Sequence, residues 1–306
     1  MGKKKLSGRS KNLSSKNKLA ALSGNVAIVY RPHKPQALKI AREVSQWLRE
    51  RGYKVYAAPE QKIDSETPSL TDVAAKNLGL VVALGGDGTY LRAVHLVNRS
   101  QAPILGINLG SLGFLAENRI EDLYEALADT LAGRMEKRAR AILRIGISDQ
   151  KRGDQHHLAL NDVVIERGAN SHLMNIELCA NQQAVFSVKA DGLIIASPTG
   201  STAYNLSAGG PILHPAVNAL VVTPICPHSL THRPMIFPDH YALQLRLSGS
   251  KHSGQITIDG QKYGTFRHGQ TVTIERHSQD HFVVHRPQQQ DYFSILREKL
   301  KFGQRD

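Results

Sequence analysis

Several short stretches of this chain carry residue types suited to phosphate and nucleoside chemistry. Gly85-Gly86-Asp87-Gly88-Thr89 follows an apolar run and opens a helical one. In open parallel sheets ligands bind at the carboxyl ends of strands. Glycines there admit phosphate oxygens to the backbone, and helix N-terminal amides attract them. An aspartate in such a loop suits phosphoryl transfer to a hydroxyl, because a carboxylate can take the proton the nucleophile loses. The competing reading is a tight turn in which Asp87 only caps the next helix. The chain has no GxxxxGK[ST] loop, and this one does not read GxGxxG.

The segment Asp191 to Pro211, DGLIIASPTGSTAYNLSAGGP, joins an acidic turn, a short apolar strand and a run of hydroxyls and glycines. Within it, Thr202-Ala203-Tyr204-Asn205-Leu206-Ser207 offers hydroxyls that can hydrogen-bond a ribose and a ring that can stack on a base. Asn108-Leu-Gly110-Ser-Leu-Gly113-Phe-Leu115 reads as a second sharp glycine loop. Asn161-Asp162 puts two polar side chains among the apolar residues 159–165, which is costly if they are buried without partners. Ile258-Asp259-Gly260-Gln261 contains Asp-Gly, an ordinary hairpin signal. Ser201 has neither a GxSxG setting nor an evident His/Asp pairing, so it is not read as a hydrolase nucleophile.

The elements that must position these residues change in kind along the chain. Val26–Tyr30, Tyr53–Ala57, Leu78–Leu84 and Ile104–Ile107 read as buried strands. Pro35–Arg51, Tyr90–Val97 and Ile120–Leu131 read as the helices between and after them, which implies a parallel sheet covered on both faces. After Arg138 come short β-prone segments: Ile142–Ser148, Ala159–Glu166, Asn175–Ala180, Ala184–Lys189, Tyr241–Leu247, Gln255–Ile258, Thr271–Glu275 and Phe282–His285. They read as a strand-rich second domain. Tyr292–Leu300 is helical in pattern.

Composition narrows the class. The 306 residues suffice for two domains with separate cores, and 41% hydrophobic with 21% charged residues fits a globular protein. No apolar run approaches the roughly 18 residues that span a bilayer, so no membrane partner is expected. Cys179 and Cys226 form no ligand pattern, which points to a reducing cytoplasm. The 14 histidines are scattered without HExxH, which argues against a protein metal site. Of the formal net charge of +13, seven charges (Lys3, Lys4, Lys5, Arg9, Lys11, Lys16 and Lys18) lie in residues 1–24, which hold no acid. That basic, Ser- and Asn-rich extension reads as disordered, with a transit-type targeting peptide as the alternative. No basic patch interleaved with aromatics supports a nucleic-acid partner.

Taken together, the glycine-aspartate loop, the NxGxLGFL-like loop, Asn161-Asp162, the Asp191–Pro211 segment and the Asp-Gly-Gln turn resemble the ATP-NAD kinase family over roughly residues 25–300. The resemblance implies an open α/β, Rossmann-like N-terminal domain at 25–137 and a strand-rich, NAD-binding C-terminal domain at 138–290. It further implies a terminal helix in 291–306 packed back on the first domain. The implied reaction moves a phosphoryl group from ATP, or from polyphosphate, to the adenosine 2′-hydroxyl of NAD, with Mg2+ accompanying the donor. Family members are usually homodimers or homotetramers. By the same resemblance Asp87 is the general base, Gly88 lines the nucleotide pocket and Arg92 faces the nucleotide. Asn161 and Asp162 hold the adenine and ribose of NAD, although the family usually carries Asn-Glu there and Asp162 is one methylene shorter. His172, Lys189, Asp191, Thr202, Ala203, Tyr204, Asn205, Leu206, Ser207 and Gln261 are the remaining implied nucleotide contacts. Two other classes share parts of the pattern. A diacylglycerol-type lipid kinase has the glycine-aspartate loop but should lack the Thr202–Ser207 segment. A non-catalytic nucleotide-binding regulator would have no need of Asp87.

Overall fold

The computed structural model describes residues 22, 24–97, 100–111, 113–148, 153–168, 173–248, 253–286 and 292–301. The basic extension through residue 21 and His172 lie outside the described residues. The chain divides into two compact units, one made of Met1–Arg138 with Phe282–Asp306 and the other of Ala139–His281.

The first unit begins with β1 (Asn25–Tyr30), α1 (Pro35–Arg49), β2 (Val55–Ala57) and α2 (Asp72–Ala75). It continues with β3 (Leu78–Gly85), α3 (Asp87–Leu96), β4 (Ile104–Asn108), β5 (Asn118–Arg119), α4 (Leu123–Leu131) and β6 (Glu136–Arg140). Proline at the first turn of α1 presets its φ, and the apolar stripe Ala37, Ile40, Ala41, Val44 and Leu48 is buried. Ile40, Ala41, Val44 and Leu48 of that stripe share one core with Leu123, Ala126 and Leu127 of α4 and with alternate strand residues Val26, Ile28, Leu80, Val82, Leu84, Leu105 and Ile107. Gly106, of opposite parity to Leu105 and Ile107, lies under the ring of Tyr90 on α3, whose Cδ2 a Cβ there would meet at 2.9 Å. The helix after the glycine loop therefore covers the other face of the sheet.

The second unit holds β7 (Leu143–Ser148), β8 (Gln155–Ala159), β9 (Asp162–Arg167), β10 (Met174–Ala180), β11 (Gln183–Ala190) and β12 (Gly192–Ala196). A 3-10 turn at Thr199–Thr202 and the single-turn α5 (Tyr204–Ser207) precede β13 (Ala219–Ile225) and β14 (Met235–Pro238). β15 (Leu243–Leu247), β16 (Ser253–Ile258), β17 (Gln261–Arg267) and β18 (Thr271–Arg276) complete the unit. These strands form two six-stranded sheets, in the orders β11-β10-β15-β18-β7-β8 and β14-β13-β12-β9-β16-β17. Leu143, Ile145, Ile176 and Leu245 of the first meet Val163, Ile165, Leu193, Ile195 and Val222 of the second in one core, so the unit is a β-sandwich. The other face of the second sheet is also covered, because Val164, Ile194, Ala196 and Val221 pack with Ala208 and Leu213. Burial on both faces explains why β12 is apolar throughout rather than alternating.

The chain then returns through β19 (His281–His285) and α6 (Tyr292–Leu300). β19 lies between β4 and β6, giving the first sheet the order β2-β1-β3-β4-β19-β6 with β5 beside β4, and it runs parallel to β4. The sequence assigned Phe282–His285 to the strand-rich domain; the structure places most of that strand in the α/β sheet. A short apolar run looks the same whichever sheet it joins, so only the pairing reveals the difference. Two further readings change. Ala159–Glu166 is not one strand, since β8 ends at Ala159 and β9 starts at Asp162 in the opposite sheet. The apolar run Ala219–Ile225 is a central strand that the sequence reading passed over.

Candidate active site

β3 delivers the chain to Gly85, Gly86 is the extended N-cap residue of α3, and Asp87 is its first helical residue. A Cβ on Gly85 would lie 2.1 Å from the Thr89 hydroxyl, so this glycine is required by packing. A Cβ on Gly86 or Gly88 would meet nothing within 4 Å, so the backbone there borders open space. The Asp87 side chain turns toward the second glycine loop. Its Oδ2 accepts from the Phe114 amide at 3.0 Å, and Oδ1 accepts from the Leu115 and Ala116 amides at 3.0 and 3.2 Å. A carboxylate has about four lone-pair positions, so the three amides leave one position open. Gly113 makes this approach achievable, since its Cβ would fall 2.0 Å from Asp87 Oδ1. Asn108 shapes the same loop from the end of β4, accepting from Gly110 N at 2.7 Å and donating to Ser111 O at 2.6 Å. Arg92, expected to face a nucleotide, is paired with Glu60 at 2.5 Å.

In the second unit Asn161 and Asp162 sit at the bend where β8 gives way to β9. Asp259 anchors this bend. Its carboxylate accepts from Leu160 N at 2.9 Å, Asn161 N at 2.7 Å and Asp162 N at 3.2 Å. Asp259 and Gly260 have φ of 47° and 76°, and Ile258 pairs with Gln261, so the Asp-Gly is a two-residue primed hairpin turn. That turn bears the aspartate that secures the neighbouring bend, a role the hairpin signal did not convey. Gln261 is exposed at the first position of β17.

The hydroxyl-rich segment packs directly on this bend. Ser197 Oγ donates to Leu160 O at 2.5 Å and accepts from Gly200 N at 3.1 Å, and Ser197 N donates to Asn161 O at 2.8 Å. Gly200 is indispensable here, because its Cβ would lie 2.1 Å from Asn161 O. Ser201 is fully buried and bonded to Pro198 O and to the backbone of Leu213, which agrees with its exclusion as a nucleophile. The Asn205 side chain is bound within its own turn. Its amide donates to Ser201 O at 3.0 Å and Pro211 O at 3.1 Å, and its Oδ1 accepts from Thr223 at 2.6 Å. With both donor positions used and no exposed surface, its side chain braces the scaffold. Thr202, Ala203 and Leu206 are partly exposed, and Tyr204 and Ser207 are exposed.

Tyr204 and Asp162 lie in acidic surroundings. Burial, with Glu166, Cys226, Asp162 and Asp191 adding negative charge, holds the Tyr204 phenol above its ordinary value. Burial first and Asp259 second push the Asp162 carboxyl up to about 7. Asp191 is paired with Arg167 at 3.0 Å, and Lys189 is exposed on β11. Among the described residues no group of three or more His, Cys, Asp or Glu is arranged to hold a metal ion.

Comparison with known proteins agrees with both units. Residues 26–135 match the ATP-NAD kinase N-terminal domain, and residues 160–286 match the ATP-NAD kinase C-terminal domain. An NAD kinase of Bdellovibrio bacteriovorus is 44% identical over 285 residues, covering 93% of this chain and 94% of its own. An NAD kinase of Geotalea daltonii is 39% identical over 282 residues, covering 92% and 99%. Among solved structures, yeast NADH kinase complexed with NADH superposes with a TM-score of 0.85 at 25% identity, covering 93% of this chain and 89% of that one. An NAD kinase from Archaeoglobus fulgidus in complex with ATP has the same fold, with a TM-score of 0.70 at 22% identity and coverage of 90% and 99%. The chain belongs to the ATP-NAD kinase family.

Proposed function

We propose that this chain phosphorylates the adenosine 2′-hydroxyl of NAD to give NADP, with ATP as donor and Asp87 as the base. The observation that carries the assignment is the Asp87 carboxylate, fixed by three consecutive amides and left with one free acceptor position beside the open backbone at Gly86 and Gly88. A carboxylate so held is oriented before the substrate arrives, and orientation is most of what phosphoryl transfer asks of a protein. Mg2+ enters here as part of the donor, riding on the phosphates whose charge it neutralises. The bend at Asn161-Asp162 and the exposed ring and hydroxyl of Tyr204 and Ser207 supply the contacts to NAD. The match of the second unit to the family's C-terminal domain disfavours a lipid kinase. We place the enzyme in the cytoplasm, as a homodimer or homotetramer; among the described residues no helix is long and apolar enough to cross a membrane.

The test is NADP formation from NAD, Mg2+ and ATP, read with an NADP-specific dehydrogenase, with polyphosphate and with NADH in parallel tubes. Asp87→Asn should lower kcat by about 10²–10⁴ while the melting profile is kept. Near-full activity in that variant would remove Asp87 from its role. NAD binding without turnover by the native chain would leave the regulator reading.

A further inference from the structure

The segment that orients Asp87 is itself tied down on its far side by a buried acid–imidazole pair. Glu117 follows directly on the amides of Phe114, Leu115 and Ala116 that hold Asp87. Its Oε2 lies 2.7 Å from Nδ1 of His285 on β19, and both side chains are buried, His285 at 1% exposure. Among the described residues Nε2 of His285 has no hydrogen-bond partner, so the imidazole's polar contact is made through Nδ1. Leaving a polar nitrogen unpaired in the interior is unfavourable, and an apolar side chain would fill the same space without that penalty. The next residue, Asn118, donates to Gly106 O on β4 at 3.0 Å. Gly106 has no Cβ where one would lie 2.8 Å from Ala116 Cα, which lets the segment lie flat on the strand. Residues 114–118 are thus fixed on one side by Asp87 and on the other by His285 and Gly106.

We propose that the Glu117–His285 pair is a positioning element for catalysis, setting the Phe114–Ala116 amides and through them the direction of the Asp87 carboxylate. His285 touches no reacting atom; it acts through Glu117 and the amides of the three residues that precede it. Replacing the imidazole removes this anchor of Glu117 from β19, and the adjoining amides then move out of line. The inference rests on Asp87 being the base, so the experiment keeps the two claims separate.

The measurements are kcat and NAD KM for His285→Asn, His285→Gln and His285→Leu, each also combined with Asp87→Asn, together with amide hydrogen exchange at Phe114–Ala116. An asparagine amide falls near the Nδ1 position of imidazole and keeps the donor, whereas that of glutamine falls near Nε2 and does not. His285→Gln and His285→Leu should each lose about tenfold in kcat with NAD KM within about twofold, and His285→Asn should stay within about threefold of native. In the Asp87→Asn background His285→Gln should cost nothing further, because residues acting through one group are non-additive. Equal losses for Asn and Gln, or the same factor lost again without Asp87, would overturn the proposal. Should the Leu variant fail to fold, the Asn–Gln comparison decides. Full activity of Asp87→Asn alone would sink the base assignment instead. Exchange then decides positioning by itself: faster exchange at Leu115 and Ala116 in His285→Gln upholds it, and native rates refute it.

Discussion

Two aspartates of this chain meet opposite environments. Asp87 accepts from three backbone amides, whereas Asp162 is buried under the negative charge of Asp259, whose carboxylate holds the amides of residues 160–162. Ionising Asp162 in the folded chain is therefore opposed by desolvation first and by Asp259 second, which raises its pKa from 3.8 to about 7. A folded-state pKa above the unfolded one means that the folded chain holds the proton longer. Stability is unaffected below the unfolded value and is lost as pH climbs toward and through the folded one. The full loss is about 4 kcal/mol, and most of it accrues between pH 5 and 8. Asp162→Asn has no charge to bury, so its advantage over the native chain in urea melts should widen by about 3 kcal/mol across that interval. A gap that does not change with pH would show that Asp162 ionises as freely as a surface carboxylate.

At the scale of elements, the glycines separate scaffold from binding surface. Gly200 seats the hydroxyl-rich turn on Asn161, and an added Cβ would fall 2.1 Å from a backbone oxygen that cannot rotate away. Gly86 is extended, with φ −114°, and borders open space. Gly200→Ala should therefore destabilise by about 1–3 kcal/mol and raise NAD KM. Gly86→Ala should melt like the native chain yet raise ATP KM about tenfold, because its methyl fills room for phosphate. Equal melting of the two variants, with ATP KM unchanged in the second, would deny the distinction. The same contrast marks what was legible in the sequence. β3 running into a glycine turn and a helix was readable, since an apolar strand, Gly-Gly and Asp form a local signal. That Asp87 reaches across to Phe114–Ala116, or that Asp259 secures the bend at Asn161, was not, because partners 27 and 98 residues apart leave no trace in local pattern. The bracing role of the Asn205 side chain was hidden for a related reason, since its partners Ser201, Pro211 and Thr223 are known only from the fold. β19 eluded assignment because HFVVH suits either sheet.

At the scale of the whole molecule, the edge of the second sheet offers the argument for self-association. β14 ends that sheet, with β13 as its one neighbour. Met235 and Ile236 on it are exposed, as is Leu230 in the preceding loop, at 87%. Edge strands normally carry guards such as lysine or an inward charge, and the sequence MIFP has only its terminal proline. An antiparallel edge can pair with its own copy about a two-fold axis, so this edge is where the proposed homo-oligomer is tested. Ile236→Lys puts a charge on that edge without touching the buried Phe237. Sedimentation of the native chain at micromolar concentration should give a dimer or tetramer, and Ile236→Lys should move it to a smaller species with its melting profile kept. An oligomer of unchanged mass in Ile236→Lys would place the contact elsewhere on the surface, and a monomeric native chain would refute self-association altogether.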